Sequence, residues 1–532
     1  VRSARESLMD NLLKKLRKNS DLFLFGAALL GLADALYLTY EHYNPLVLVC
    51  PRWSFIDCAK VVRGPYSTLF NIPLGIYGSL FYFSFFILLF IARIYKEKKI
   101  LRKTILTISF GAFLFSCYLV IIQIFVIKAI CIYCMLSAIT STLIFLASMD
   151  KFSEERVFLA SSVIGSFYRL FIKKILFLFD AEFVHERILV LGEYLGKVKT
   201  VRLLAEYFLK IENPILRQNV GGINFHSPIG LAAGFDYKAK LFRLLPSLGF
   251  GFGTIGTITN LPYGGNPKPR LGRLPKSKSL LVNKGFKNDG VESIAKKLSN
   301  VRFLYPQGIS VGRSNSASIK NYREAIDDII RSFRILEKYK VKNSFYELNI
   351  SCPNLIYGKN SDFYNAKRLG ELLSAVDSLR LKKPIFVKMP INKSDPEILS
   401  MLRIIAKHKI VGVIFGNLQK DRNHPDIDKA EAAKYNIGYF SGKPTWERSN
   451  ELVKLAYQHF GKKLVIIGCG GVFSASDAYI KIRLGASLVQ LVTGLVFEGP
   501  QLISEINYGL ADLMKRDGYK SIQDVVGVDS GK

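Results

Sequence analysis

At 532 residues the chain exceeds what one hydrophobic core accommodates, so two or more domains are expected. A hydrophobic share of 49% and a mean hydropathy of +0.21 are high for a wholly soluble protein and point to membrane segments. Lys+Arg 74 against Asp+Glu 42 leave a net charge of +32; such a charge favours an anionic partner, and beside long apolar runs that partner is a lipid surface rather than nucleic acid.

Taken in chain order, residues 1–20 form a basic segment with Arg2, Arg5, Lys14, Lys15, Arg17 and Lys18. Translation starts at Val1 or at Met9, and no cleavable signal peptide is expected, because the first apolar segment is long enough to stay in a membrane. Apolar runs follow at Leu22 to Tyr40, Ile72 to Ile94, Ile105 to Ile127 and Cys131 to Met149. Each has the ~20 residues that cross a bilayer as a helix. Basic residues cluster before the first run and again between the second and third, at Arg93, Lys96, Lys98, Lys99, Arg102 and Lys103. The loop 43–71 holds only Arg52, Lys60 and Arg63. The positive-inside rule therefore sets that loop outside, and the N-terminus and everything after Met149 in the cytoplasm. Asp34, an acid within a span, is either functional or placed near the outer rim.

The cysteines divide unevenly. Cys50, Cys58, Cys117, Cys131 and Cys134 lie in the first 150 residues, and only Cys352 and Cys469 beyond, which suggests two redox settings on one chain. Cys50 and Cys58 occupy the outside loop, and Cys131-Ile132-Tyr133-Cys134 opens the fourth span on the same face. Two dithiols on an oxidising side can exchange electrons through thiolate attack on a disulfide. The helix dipole favours a thiolate at such an N-terminus. Structural disulfides or a metal site are the alternatives.

Residues 21–150 resemble the vitamin K epoxide reductase family. The resemblance rests on Leu32-Ala33-Asp34-Ala35-Leu36-Tyr37-Leu38-Thr39, on Cys50 with Cys58, on Pro65-Tyr66-Ser67 with Ile72-Pro73-Leu74-Gly75, and on Cys131 with Cys134. It implies that Cys131 and Cys134 face a quinone, and that Cys50 and Cys58 relay electrons from exported thiol-containing proteins. Gly64 departs from the family, which carries Ser or Thr there; Ser67 and Thr68 stand nearby.

Between 151 and 225, Phe152 to Phe179 mixes aromatics with Arg156, Arg169, Lys173 and Lys174. That pattern predicts an amphipathic helix lying in the headgroup region rather than a fifth span. A second helix is predicted over Phe183 to Leu209, the two forming an apolar cap through which a lipophilic molecule enters; an ordinary helical linker is the alternative.

From 226 to 526, short apolar strands alternate with helical patterns: Ile229–Ala233, Phe252–Gly256, Gln307–Val311, Phe345–Leu348, Ile385–Val387, Val411–Phe415, Leu464–Ile467 and Ser487–Leu491. Eight such units predict a (β/α)8 barrel, whose chemistry sits at the strands' C-terminal ends. There lie Ala233-Gly234-Phe235-Asp236, Gly256-Thr257, Asn349-Ile350-Ser351-Cys352-Pro353-Asn354, Lys388, Gly416-Asn417, Gly468-Cys469-Gly470-Gly471 and Thr493-Gly494. Glycine-rich turns after the seventh and eighth strands expose amides that hold a phosphate. Cys352 stands between two carboxamides able to grip an imide or a carboxylate, and a thiol removes a proton more readily than a serine hydroxyl. A turn with a buried cysteine is the bland alternative.

Residues 167–525 resemble dihydroorotate dehydrogenase of the membrane-associated, quinone-linked class. The motifs are Ser227 to Asp236, Lys268-Pro269-Arg270-Leu271-Gly272-Arg273-Leu274, Asn349 to Asn354, Ser441-Gly442-Lys443-Pro444 and Gly470-Gly471, with Phe177-Leu178-Phe179-Asp180 and His185-Glu186 in the cap. The resemblance implies FMN on Ala233, Gly234, Asp236, Thr257, Asn349, Lys388, Gly416, Gly442, Gly470, Gly471, Thr493 and Gly494. It implies dihydroorotate on Lys238, Asn283, Gly285, Phe286, Asn349, Asn354 and Asn417, Cys352 as catalytic base, and Arg273 on a quinone path. Cys352 is itself a departure, since this class carries Ser. Tyr237 intervenes before Lys238, Asn283 is displaced by one, Ser310 replaces an Asn, and Val492 replaces a Tyr.

The sequence thus predicts a multidomain inner-membrane protein. A four-helix transmembrane bundle (21–150) and a helical cap (151–225) precede an α/β TIM barrel (226–526) and a tail (527–532). Dihydroorotate, orotate, a membrane quinone and lipid are its expected partners, with no nucleic acid and no metal. A passive N-terminal anchor and a tRNA-modifying flavin barrel are the competing readings.

Overall fold

The computed structural model describes residues 20–44, 50, 55–95, 98–358 and 361–531. The basic residues Arg2, Arg5, Lys14, Lys15, Arg17 and Lys18, with Arg52 and Lys96, lie outside the described residues. The chain divides into two compact units, Val1–Leu159 and Ala160–Lys532. The division falls inside helix Ser153–Phe167.

Among the described residues of the first unit, four helices are long and apolar enough to cross a membrane: α1 (Ser20–Tyr43), α2 (Leu74–Ile94), the helix Lys99–Ile127 and α4 (Ile132–Lys151). Within the third, α3 (Lys99–Ile121) widens into a π-turn over Ile122–Ile127 that ends at Lys128 in the left-handed region, φ 55°. Small residues let α1 and α2 approach: a Cβ on Gly31 would meet the Tyr82 ring at 2.3 Å, and one on Gly75 the Thr39 hydroxyl at 2.5 Å. Leu24, Ala28, Tyr82, Phe85, Ile105 and Ile144 are buried between the helices, whereas Leu30, Leu36, Leu80, Phe83 and Phe90 point outward. Exposed large apolar side chains on a bundle of this length suit a hydrocarbon surround.

The second unit is a closed barrel of eight parallel strands in sequential order. They are β1 (Ile229–Leu231), β2 (Phe252–Ile258), β3 (Gln307–Val311), β4 (Phe345–Asn349), β5 (Ile385–Met389), β6 (Gly412–Phe415), β7 (Val465–Cys469) and β8 (Leu488–Leu491). All eight expected strands form, because near-continuous apolar runs suit strands buried on both faces. A hairpin, Gln218–Val220 with Ile223–Phe225, plugs the bottom: Phe225 packs with Phe252, Phe345 and Phe386. At the top, Leu271–Leu274, Ser279–Val282 and Tyr439–Phe440 form a separate three-stranded sheet that periodicity did not foretell.

The cap corrects one expectation. Instead of one helix over Phe183 to Leu209 there are two, Ala181–Lys197 and Lys199–Leu209. Val198 breaks the run with extended dihedrals, φ −82° and ψ 110°. The first of them starts where Asp180 accepts the Phe183 amide at 2.8 Å, a side-chain cap of an otherwise orphan donor.

Candidate active site

A cavity of about 600 Å³ opens at the C-terminal ends of the barrel strands and continues to the cap helices. Most of the expected site residues line it together: Cys352, Ala233, Gly234, Thr257, Gly285, Phe286, Asn349, Asn354, Lys388, Gly416, Asn417, Gly442, Gly470, Gly471, Thr493, Gly494 and Arg273. Three do not. Asp236 is fully buried, its carboxylate accepting the amides of Lys240 and Leu241 at 2.8 Å each. Lys238 turns to Glu186 and Asp289 at 4.0 and 3.9 Å, because Tyr237 takes the inward position ahead of it. Asn283 bonds Asn266 at 2.9 Å behind the wall.

Asparagine geometry is set by neighbours. Asn349 donates to Thr257 Oγ1 at 2.9 Å, while its Oδ1 accepts the amide and hydroxyl of Ser351, each at 3.2 Å. Asn417 donates to Ser351 O at 2.8 Å and Oγ at 2.6 Å; Asn354 donates to Val282 O at 3.0 Å. Each amide is thereby held in one orientation, which leaves its remaining groups for a ligand. Cys352 follows β4 in this ring, and burial pushes its thiol up to about 11. Lys388, almost fully buried at the end of β5, faces Glu347 at 3.8 Å. Ser310, which stands in place of the family's Asn, donates to Glu347 Oε1 at 2.7 Å and meets Thr257 Oγ1 at 2.9 Å. It connects the Lys388 partner to the Asn349 partner from behind the wall.

Opposite lies a cradle of backbone. Gly442, Gly470 and Gly471 adopt φ of 80°, 105° and 71°. A Cβ on Gly442 would meet Lys278 O at 2.3 Å, and one on Gly494 would meet Val472 O at 2.1 Å. Thr493 and Gly494 open the helix Thr493–Glu498, whose first amides have no intrahelical acceptor. Donors without acceptors in a glycine-lined hollow fit a phosphate, so these residues fit the FMN phosphate that the family resemblance implies.

Toward the cap the walls become apolar. Ile172, Leu176, Val184, Ile188 and Leu191 line it with Arg273, whose guanidinium donates to Phe179 O at 2.7 Å and stacks on Phe177 at 4.7 Å. His185 and Glu186 of the cap motif are joined there by Glu182, Lys284 and Lys287, whose roles carried no signal legible in the sequence. His185 meets Phe235 O and Lys284 Nζ at 3.0 Å each; burial drives its imidazole down to about 3. Burial likewise lowers Lys284 to about 8. Glu182 and Glu186 share Lys287, at 2.8 Å each. Burial raises Glu186, yet hydrogen bonds from Lys287 and Tyr237 overcome it and hold the carboxyl at about 2.

The membrane unit has its own cavity of about 450 Å³, lined by His42, Ser67, Gln123, Cys134, Ser137 and neighbours. Cys134 reaches it, and its amide lies 3.5 Å from Cys131 Sγ. Cys50 and Cys58 form a disulfide. Cys58 packs in one apolar cluster with Cys131, Val62 and Ala129, Cys50 and Cys134 bordering it.

The dihydroorotate dehydrogenase family model matches residues 215–514, and the vitamin K epoxide reductase family model matches residues 22–149. The chain is 34% identical over 364 residues to the dihydroorotate dehydrogenase (quinone) of Trichodesmium erythraeum, covering 66% of this chain and 94% of that one. Against the dihydroorotate dehydrogenase (quinone) of Nitratiruptor sp. it is 34% identical over 362 residues, covering 98% of that chain. Among solved structures, DHODH from Eimeria tenella in complex with ferulenol superposes with a TM-score of 0.58 at 25% identity, over 66% of this chain and 96% of that one.

Proposed function

The chain belongs to the dihydroorotate dehydrogenase family, joined to a vitamin K epoxide reductase family membrane unit, and from that premise we propose that the barrel oxidises dihydroorotate to orotate, with FMN bound at its mouth and a membrane quinone as terminal acceptor. The observation that carries this reading is one continuous cavity joining the Cys352–asparagine ring and the glycine cradle to an apolar passage under the cap.

Bound flavin supplies reversible two-electron uptake between substrate and quinone. The chain's own residues do the rest. Asn349, Asn354 and Asn417 present amides that orient the pyrimidine's imide and carboxylate, and the contacts behind them resist reorientation. Cys352 Sγ takes the proton lost from the ring carbon. Lys388 supplies a fixed positive charge at the barrel mouth, where charge develops in the reduced state, and Glu347 and Ser310 hold it from behind. Arg273 lines the passage a quinone would follow. Lys238 is not assigned to the substrate carboxylate, since it points to Glu186 and Asp289.

For the membrane unit the reading is dithiol:quinone oxidoreduction. Exported dithiols reduce the Cys50–Cys58 disulfide, that pair reduces Cys131–Cys134, and Cys134 meets quinone in the second cavity. Arg93 in the last turn of α2 and Lys99, Arg102 and Lys103 at the start of α3 support an orientation with the cysteine loop outside and the barrel in the cytoplasm. Both units then deliver quinol to one membrane.

The test is anaerobic. Dihydroorotate added to the purified membrane protein bleaches the flavin absorbance, and a short-chain quinone restores it. A bound flavin that stays oxidised under saturating dihydroorotate would overturn the assignment.

A further inference from the structure

Most of the polar side chains that line the cavity of the membrane unit are engaged. Tyr82 donates to Ser137 O at 3.0 Å, and Ser141 is bonded to Ala138 O and to Ser116 Oγ at 3.0 and 2.8 Å. Gln123 differs. It sits in the π-turn Ile122–Ile127 and is 3% exposed, yet it lines the cavity beside Cys134. Its Oε1 accepts the Cys131 amide at 3.0 Å, and its backbone oxygen accepts the Ala129 amide at 3.2 Å. Its Nε2 has no hydrogen-bond partner among the described residues. A carboxamide with one end engaged leaves two N–H donors, and Gln123 lines the cavity where a ligand would meet them. A ligand carbonyl is an acceptor of the kind such donors fit.

We propose that Gln123 is the quinone-binding residue of the membrane unit: Nε2 donates to a quinone carbonyl while Oε1 holds the Cys131 backbone, so one side chain sets the acceptor against the dithiol. This rests on the dithiol:quinone reading above and supplies it with a donor. The electron balance is closed. Cys131 and Cys134 lose two electrons and two protons as their S–S bond forms, and the quinone takes up both as quinol. The oxygen that gains negative charge as electrons arrive is the one Nε2 faces, so the bond strengthens along the reaction.

The widened turn accounts for the placement. With one extra residue in that turn, the chain closes at Lys128 and both oxygens of residue 123 face the segment that leads into Cys131. π-Turns inside helices recur at functional positions for this kind of reason.

The test uses the full-length protein in lipid nanodiscs, without dihydroorotate so that the barrel does not turn over, and follows dithiothreitol-driven reduction of a short-chain benzoquinone. Gln123→Glu keeps an oxygen for the Cys131 amide but loses the donor. Its quinone KM should rise about tenfold relative to the unaltered chain, as for one lost hydrogen bond. Relative activity should return at acid pH, where the carboxyl protonates and becomes a donor again. Gln123→Leu should show the same KM rise with no recovery, together with a lower kcat from the released Cys131. Dihydroorotate oxidation, assayed separately, should be unaffected in both and reports that the barrel is folded, while the recovery of Gln123→Glu at acid pH reports that the bundle is. A Gln123→Glu protein with the unaltered KM between about pH 5 and pH 9 overturns the proposal. An unaltered chain that never reduces quinone with dithiothreitol overturns the dithiol:quinone reading and this inference with it.

Discussion

Cys352 departs from the serine of the quinone-linked class, and its surroundings give the difference a measurable form. A thiol held up to about 11 by burial is a stronger base than an unperturbed cysteine once ionised, but a small fraction of it is ionised near neutrality. Proton removal requires the thiolate, so flavin reduction by dihydroorotate should accelerate as pH rises and reach no plateau before about 11. Stopped-flow reduction rates from neutral to alkaline pH check this, and a profile flat on the alkaline side argues against Cys352 as the base. Cys352→Ala should slow reduction by about 10²–10⁴, the usual weight of a positioned base, with flavin absorbance and dihydroorotate binding retained. Ser310 carries a related expectation. Ser310→Ala removes the hydroxyl between Thr257 and Glu347 without opening the cavity wall. It should lower the flavin's reduction rate more than it lowers substrate affinity, as read by kcat against KM.

At the scale of elements, the cap is held to the barrel by a small charged network rather than by apolar packing alone. Helix Ala181–Lys197 places Glu182 and Glu186 against Lys287, with Arg270 at 3.3 Å from Glu182. Glu182→Gln should lower unfolding stability by about 1–3 kcal/mol, the cost of leaving a partly buried cation short of its acceptor. Thermal unfolding measures that, and quinone KM should rise with it because the same helix walls the passage. His185 adds a pH dependence of known sign. Its imidazole is held down to about 3 in the fold against about 6.5 in an unfolded chain. The unfolded state therefore binds the proton first as pH falls, and stability present above about 6.5 is lost progressively toward about 3. His185→Phe keeps the ring and removes the titration, so the acid limb of the stability profile should flatten. The break at Val198 belongs to this scale too. Lys199 to Leu209 continues the helical periodicity of the first helix, and periodicity cannot register a change of axis at one extended residue.

For the molecule as a whole, the two units carry separate cavities and separate chemistry, so their activities should be separable. Cys134→Ala should abolish dithiol-driven quinone reduction while dihydroorotate oxidation persists, assayed on the same preparation; loss of both would mean that the bundle is needed to keep the barrel active. The sequence by itself determined the architecture. Four runs of spanning length and eight strand–helix units follow from hydrophobic periodicity alone, and Cys352, Lys388 and the glycine turns were legible because strand ends are where barrel chemistry must sit. What only the tertiary structure decided are contacts between residues far apart in the chain: Lys284 against His185, Ser310 bridging Glu347 to Thr257, and Lys238 turned to Glu186 and Asp289. No local pattern encodes these, because each depends on where two separate backbones come to rest, and a shift of one residue in register is enough to turn a side chain from the cavity to its outer wall.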